Sequence, residues 1–114
     1  MPSGVPGASV FAVIWSDIAR ADYWAIVEFL AETGIPAAKQ AAVDIEGAAA
    51  RLRTLPRRGR IVPELAAQGI QTYRELVRAP WRIVYKLDGS AVRITAVLDA
   101  RRNLDDLLFA RFVR

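Results

Sequence analysis

A chain of 114 residues has the length of one domain, enough for a single core but hardly for two. Its 54% hydrophobic content argues against disorder, and no run approaches the ~20 apolar residues of a membrane-spanning helix. Cysteine and histidine are both absent, which removes disulfides, thiolate metal sites, the commonest zinc ligand and the usual general base.

A serine-hydrolase triad and a zinc hydrolase are therefore not expected; a cytoplasmic protein working without metal or other cofactor is. Sixteen Lys and Arg stand against twelve Asp and Glu, a net charge of +4. All but Lys39 and Lys86 of the basic residues are arginine, whose planar fork suits bidentate contact with phosphate or carboxylate. The charge points to nucleic acid or an acidic protein surface as partner. The plainer alternative is a solvated basic surface.

Residues 1–9 carry Pro2, Gly4, Pro6 and Gly7 and lack the basic flank of a secretory signal, so they read as a flexible lead-in. Residues 10–114 then form one domain. Val10–Trp15 is a short run rich in β-branched and aromatic residues, a strand. Ser16 or Asp17 caps a helix that runs from about Asp17 to Thr33 and stops at Gly34. Pro36 suits the first turn of a second helix, extending to about Arg53. There Ala38, Ala41, Ile45, Ala48, Leu52 and Leu55 recur at three- and four-residue spacing, one apolar stripe for an antiparallel hairpin with the first helix.

Residues 55–60 break the pattern and read as a loop. Its Arg57, Arg58 and Arg60 are placed to touch DNA, although a charged loop is more often merely solvated. Ile61–Leu65 is expected as a short edge strand, since Pro63 cannot donate to a ladder. Ala66–Gly69 follows as a loop, then strands over Ile70–Val77 and Trp81–Leu87. Asp88-Gly89 signals a hairpin of the I′ kind into Ala91–Leu98.

A two-residue loop at Asp88-Gly89 pairs Leu87 with Ser90, Tyr85 with Val92, Ile83 with Ile94 and Trp81 with Ala96. That register puts an apolar face toward the helices and leaves Arg82, Val84, Lys86, Arg93, Thr95 and Val97 on the other. Arg102–Val113 closes the chain as a helix, capped by Asn103 or Asp99, with Asp105 and Asp106 in its first turn. The expected fold class is α+β. It has an N-terminal strand, an antiparallel helix hairpin, a three- to four-stranded mostly antiparallel sheet and a C-terminal helix, with the helices on one face.

Several local signatures follow in that order: Ile14-Trp15-Ser16 with Ala19 and Asp22, Leu55-Pro56…Gly59-Arg60, Pro63-Glu64-Leu65, Tyr73-Arg74-Glu75-Leu76 and Trp81-Arg82-Ile83-Val84-Tyr85. The last strand, Ile94–Leu98, is followed by Arg101-Arg102. Over residues 10 to 112 the chain resembles the RelE/ParE toxins of type II toxin–antitoxin systems. Where ParE-like members often carry a histidine after the final strand, this chain has Asp99.

The resemblance implies a cognate antitoxin and one of two targets. A ParE-like toxin binds DNA gyrase and traps its cleavage complex, needing no catalytic groups. Arg82, Lys86, Arg93, Arg101 and Arg102 are the expected target-binding surface. A RelE-like toxin cleaves messenger RNA on the ribosome, needing positive charge for the phosphorane and groups to move protons. Carried over, Arg74, Arg82 and Arg101 match or stand near its basic positions. The second lysine falls near Leu76, and the C-terminal tyrosine near Leu107, with Phe109 the closest aromatic but lacking a hydroxyl. The residues thus favour gyrase. An inactive, toxin-derived binding module is a further alternative. Each basic residue on the sheet also has the plainer role of solvating an outer face, and Trp81 and Tyr85 read as core.

On a helical wheel Trp24 falls among Asp17, Arg20, Glu28 and Glu32, opposite Ala19, Ile26 and Leu30. An aromatic among charges is a candidate anchor for an antitoxin or for self-association. Packing beneath the lead-in is the plainer alternative.

Overall fold

β1 (Ala12–Trp15) leads directly into α1 (Asp17–Thr33). The Ser16 hydroxyl accepts the Ala19 N–H at 3.0 Å, so one otherwise orphaned donor of the first turn is satisfied. Gly34 ends the helix with its N–H on the Leu30 carbonyl, and α2 (Ile35–Ala50) begins at once with Pro36 in its first turn. A 3₁₀ turn over Arg51–Arg53 carries the hairpin on to Leu52. Ala38, Ala41, Ile45 and Leu52 are buried as the stripe predicts. Leu55, expected at its end, is 50% exposed because the chain has already left the helix. The computed structural model describes residues 10–113, so the expected lead-in lies outside the described residues.

The sheet has five strands in the order β1-β5-β4-β3-β2, where β2 is Arg60–Ile61, β3 Tyr73–Arg78, β4 Trp81–Asp88 and β5 Ala91–Asp99. β1 runs parallel to β5 and every other pairing is antiparallel. The expected edge strand over Ile61–Leu65 is mostly not one: β2 ends at Ile61, and Pro63–Ala66 forms a single helical turn, α3. Pro63 sits in the first turn, where its missing N–H costs nothing. β3 begins at Tyr73, three residues later than the apolar pattern suggests.

The β4–β5 register also differs from the expected one. Leu87 pairs with Val92 and Asp88 with Ala91, so the two loop residues are Gly89 and Ser90. Only Gly89 has a positive φ, +60°, and Asp88 does not. A glycine alone in that region at the first loop position is the II′ arrangement, whereas I′ demands it at both positions. A bulge then leaves Thr95 unpaired between Tyr85↔Ile94 and Val84↔Ala96, and its hydroxyl donates to the Val84 carbonyl at 3.2 Å.

The extra residue reverses which side chains of β5 face the hairpin. Val92, Ile94 and Val97 pack with Trp81, Ile83 and Tyr85 against α1 and α2. Ala96, expected there, faces the other way, as does Leu98.

On that other face they meet a second core. Val84, Ala96 and Leu98 pack with Val62 and Leu65 near α3 and with Leu104 and Leu108 of α4 (Leu104–Phe112). The helices therefore cover both faces of the sheet rather than one. Asn103 caps α4, its side chain accepting the Asp106 N–H. Full burial of Ile45, Leu52, Ile83 and Ile94 stabilises by roughly 2 kcal/mol each. No helix among the described residues is long and apolar enough to cross a membrane.

Candidate functional site

Arg82 shows what the second core does to the expected surface. It faces α3 instead of solvent, with 7% of its side chain exposed. Its Nε donates to Glu75 at 2.6 Å, and its two terminal nitrogens donate to the Glu64 carboxylate at 2.8 and 2.7 Å. Arg60 holds the other oxygen of Glu75 at 2.7 Å. The hydrogen bonds to Glu64 outweigh burial and push the Arg82 guanidinium further above its ordinary range. The same bonds hold the Glu64 carboxyl below its ordinary value. A guanidinium so neutralised has little left to offer a phosphorane or a target.

Arg101 and Arg102 follow β5 and border a groove of about 560 Å³ between α1 and α4. Its apolar floor comes from Ile26, Phe29, Leu30, Trp81 and Leu107. Arg101 grips Asp99 with Nε and Nη2 at 2.9 and 2.8 Å and lies 5.8 Å from the Trp81 ring centroid, a cation–π distance. That grip lowers the Asp99 carboxyl below its ordinary value. Arg111 borders the same groove and is held by Asp22 of α1 at 3.0 and 2.7 Å. Among the described residues Arg102 makes no ion pair. Alternating charges around an apolar floor are the chemistry of a protein contact more than of a polyanion site.

Lys86 and Arg93 lie elsewhere. They pair across β4 and β5 near the Gly89-Ser90 turn, five residues along β4 from Trp81, about 17 Å. Arg93 is bound to Asp88 at 2.6 Å. Tyr73 of β3 pairs with Lys86 on its other side, so Tyr73, Lys86 and Arg93 form one row across three strands. The five expected target-binding residues thus fall into three places: Arg82 buried, Lys86 with Arg93 at one end of the sheet, and Arg101 with Arg102 at the other.

The three expected ribonuclease arginines are not brought together either. Arg74 pairs with Tyr85 on the face toward the hairpin and donates to the Gly59 carbonyl at 2.8 Å. Arg82 faces away from the hairpin, and Arg101 stands beyond the strand end. Arg74 instead pins the 55–60 loop, whose Gly59 N–H donates to the Tyr85 hydroxyl at 2.9 Å. A Cβ on Gly59 would lie 2.5 Å from the Glu75 carbonyl oxygen, so only glycine permits this approach. Leu76 packs against the main core, Leu107 lines the groove, and Phe109 is exposed.

Trp24 is 54% exposed and stacks edge-on against Tyr23 at 5.2 Å. Together with Phe11, Val13, Trp15, Arg20, Glu46 and Arg53 it borders a hollow of about 640 Å³ beside β1. Tyr23 hydrogen-bonds Glu46 there, and burial, with the Glu46 carboxylate, pushes its phenol up to about 12.

Sequence reasoning missed the Glu64–Glu75 clamp and the Asp22–Arg111 bridge. The first was hidden by reading Pro63-Glu64 as strand, although proline followed by an acid is also a helix-start signal. The second joins residues 89 apart, and nothing local announces it. No group of three or more potential metal ligands gathers among the described residues.

A family model described as the ParE toxin of the type II toxin–antitoxin system parDE matches residues 13–104. No curated protein sequence matches the chain. Among solved structures, the chromosomal ParDE toxin–antitoxin system from P. aeruginosa is similar in fold, with TM-score 0.64 and 21% identity over 79% of this chain and 96% of that one. The toxin–antitoxin complex RelBE2 from Mycobacterium tuberculosis matches with TM-score 0.54 and 20% identity over 80% of this chain and 92% of that one. The strand order, the helix hairpin and the family match agree, and the chain belongs to the ParE toxin family of type II toxin–antitoxin systems.

Proposed function

We propose that this toxin works in the cytoplasm by binding: it holds DNA gyrase in its DNA-cleaved state, and a cognate antitoxin neutralises it. The observation that carries this reading is the state of Arg82. It is the buried arginine that a ribonuclease site would need, and Glu64 and Glu75 already neutralise it. Arg74 and Arg101 stand apart from it. Arg101 and Arg102 border an apolar groove instead, as a protein-binding surface would. The half-exposed Trp24 and its hollow supply a separate place for the antitoxin to anchor.

The row of Tyr73, Lys86 and Arg93 favours the second reading, cleavage of messenger RNA. It sets a hydroxyl beside two cations, the elements of general acid–base and charge stabilisation. Tyr73, however, packs against the Phe112 ring at 4.6 Å, and Arg93 is committed to Asp88.

Parallel reactions with the purified toxin separate the two. Gyrase supercoiling blocked while cell-free translation continues is the outcome of the gyrase reading. Translation stopped with cleaved message, and gyrase untouched, is the outcome of the other.

A further inference from the structure

We infer that the segment Arg51–Arg60 is a second contact surface of the toxin and that its ligand is the phosphate backbone of duplex DNA. Between Gly47 and Pro63 the chain carries five arginines and no acidic residue. All five, Arg51, Arg53, Arg57, Arg58 and Arg60, are exposed.

The arginines elsewhere are largely spent within the fold: Arg78 on Asp44, Arg82 on Glu64 and Glu75, Arg93 on Asp88, Arg101 on Asp99, Arg111 on Asp22. In the segment only Arg60 is paired, with Glu75. Arg51, Arg53, Arg57 and Arg58 make no ion pair among the described residues. Four arginines without an ion pair among the described residues therefore stand on one short stretch, and none of these four lines the groove of Arg101 and Arg102.

That stretch is built to hold its shape. The Leu55 N–H donates to the Arg51 carbonyl at 3.0 Å and the Arg58 N–H to the Leu55 carbonyl at 3.1 Å. Gly59 is fixed to the sheet through the Tyr85 hydroxyl and Arg74. The backbone that displays the arginines is ordered before any ligand arrives, which lowers the entropic cost of binding.

The segment has no aromatic residue, so it lacks a platform on which unpaired bases stack. Its chemistry is guanidinium on phosphate, the sequence-independent mode of duplex binding. The choice of DNA over duplex RNA rests on the gyrase reading, because gyrase holds a DNA duplex while it is poisoned.

The test is fluorescence anisotropy of a short labelled DNA duplex titrated with the full-length toxin, without gyrase, over a range of salt. Arg57→Ala/Arg58→Ala should weaken binding about tenfold or more and lower the log–log salt slope by about 2. Lys39→Ala/Arg78→Ala removes the same charge elsewhere and should change binding less than about twofold. Equal weakening by both variants, or no binding by the wild-type chain at low salt, would overturn the proposal. Tighter binding to an RNA duplex of the same sequence would overturn the assignment to DNA. Because gyrase is absent from the titration, its result stands apart from that of the gyrase assay.

Discussion

Asp22 of α1 and Arg111 of α4 form a two-point ion pair, at 2.7 and 3.0 Å, between residues 89 apart. The same Asp22 carboxylate accepts the Val97 N–H at 3.0 Å. β1 pairs with β5 only as far as Ile94, so beyond it the β5 edge needs another acceptor. Asp22 closes that edge and ties the terminal helix to the hairpin.

Asp22→Ala leaves both the Val97 N–H and a largely covered Arg111 without a partner. We expect it to cost about 2 kcal/mol, and Arg111→Ala, which spares the Val97 bond, about 1 kcal/mol. Urea unfolding of the two variants checks the order. Equal losses would show that the edge bond contributes nothing.

Arg82→Ala leaves Glu75, whose side chain is fully buried, with Arg60 alone. A loss of about 3 kcal/mol is expected in chemical denaturation. Arg82→Lys keeps the charge but not the fork, and should lose less. If Arg82 were instead a target contact, its alanine variant would keep wild-type stability and lose toxicity.

The clamp also contributes to the acid sensitivity of the fold. Because Arg82 holds the folded Glu64 carboxyl below its ordinary value near 4.5, the unfolded chain takes up that proton first as pH falls. The stabilisation is complete above the ordinary value and is lost as pH drops through the lower, folded one. With no histidine in the chain, the melting temperature should be nearly flat from about pH 5 to 8 and fall below about 4.5. Glu64→Gln should melt lower at neutral pH and show a shallower acid decline. An unchanged acid slope in that variant would remove Glu64 from the account.

Much of this architecture could be read from local chemistry. Ser16 and Asn103 announced their helices because a capping side chain satisfies orphaned N–H groups within its own turn. The alternation of Trp81, Ile83 and Tyr85 correctly assigned the face of β4 that meets the hairpin. The register of β5 failed twice: the loop is Gly89-Ser90 rather than Asp88-Gly89, which shifts the pairing, and the unpaired Thr95 then reverses every side chain beyond it, a bulge that leaves no mark in an apolar run. The candidate site was less legible for a related reason. An arginine on an alternating strand looks solvated until the element covering it is known, and here that element is the single turn Pro63–Ala66.

Trp24 was legible as an exposed aromatic, and the fold places it at the rim of the hollow beside β1. As an antitoxin anchor, Trp24→Ala should weaken antitoxin binding by about 2 kcal/mol, roughly thirtyfold, in calorimetry. Its own stability should change by less than about 1 kcal/mol, because the ring is half in solvent already. Unaltered affinity together with an unaltered oligomeric state would rule out both contacts for this residue.

The central claim, action by binding gyrase, is tested most directly by incubating gyrase, supercoiled plasmid and ATP with the purified toxin and following linear plasmid on a gel. Linear, cleaved plasmid should accumulate with toxin, disappear on addition of the antitoxin, and be reduced about tenfold or more by Arg101→Ala/Arg102→Ala. Plasmid left intact by a toxin preparation that still arrests growth would contradict it.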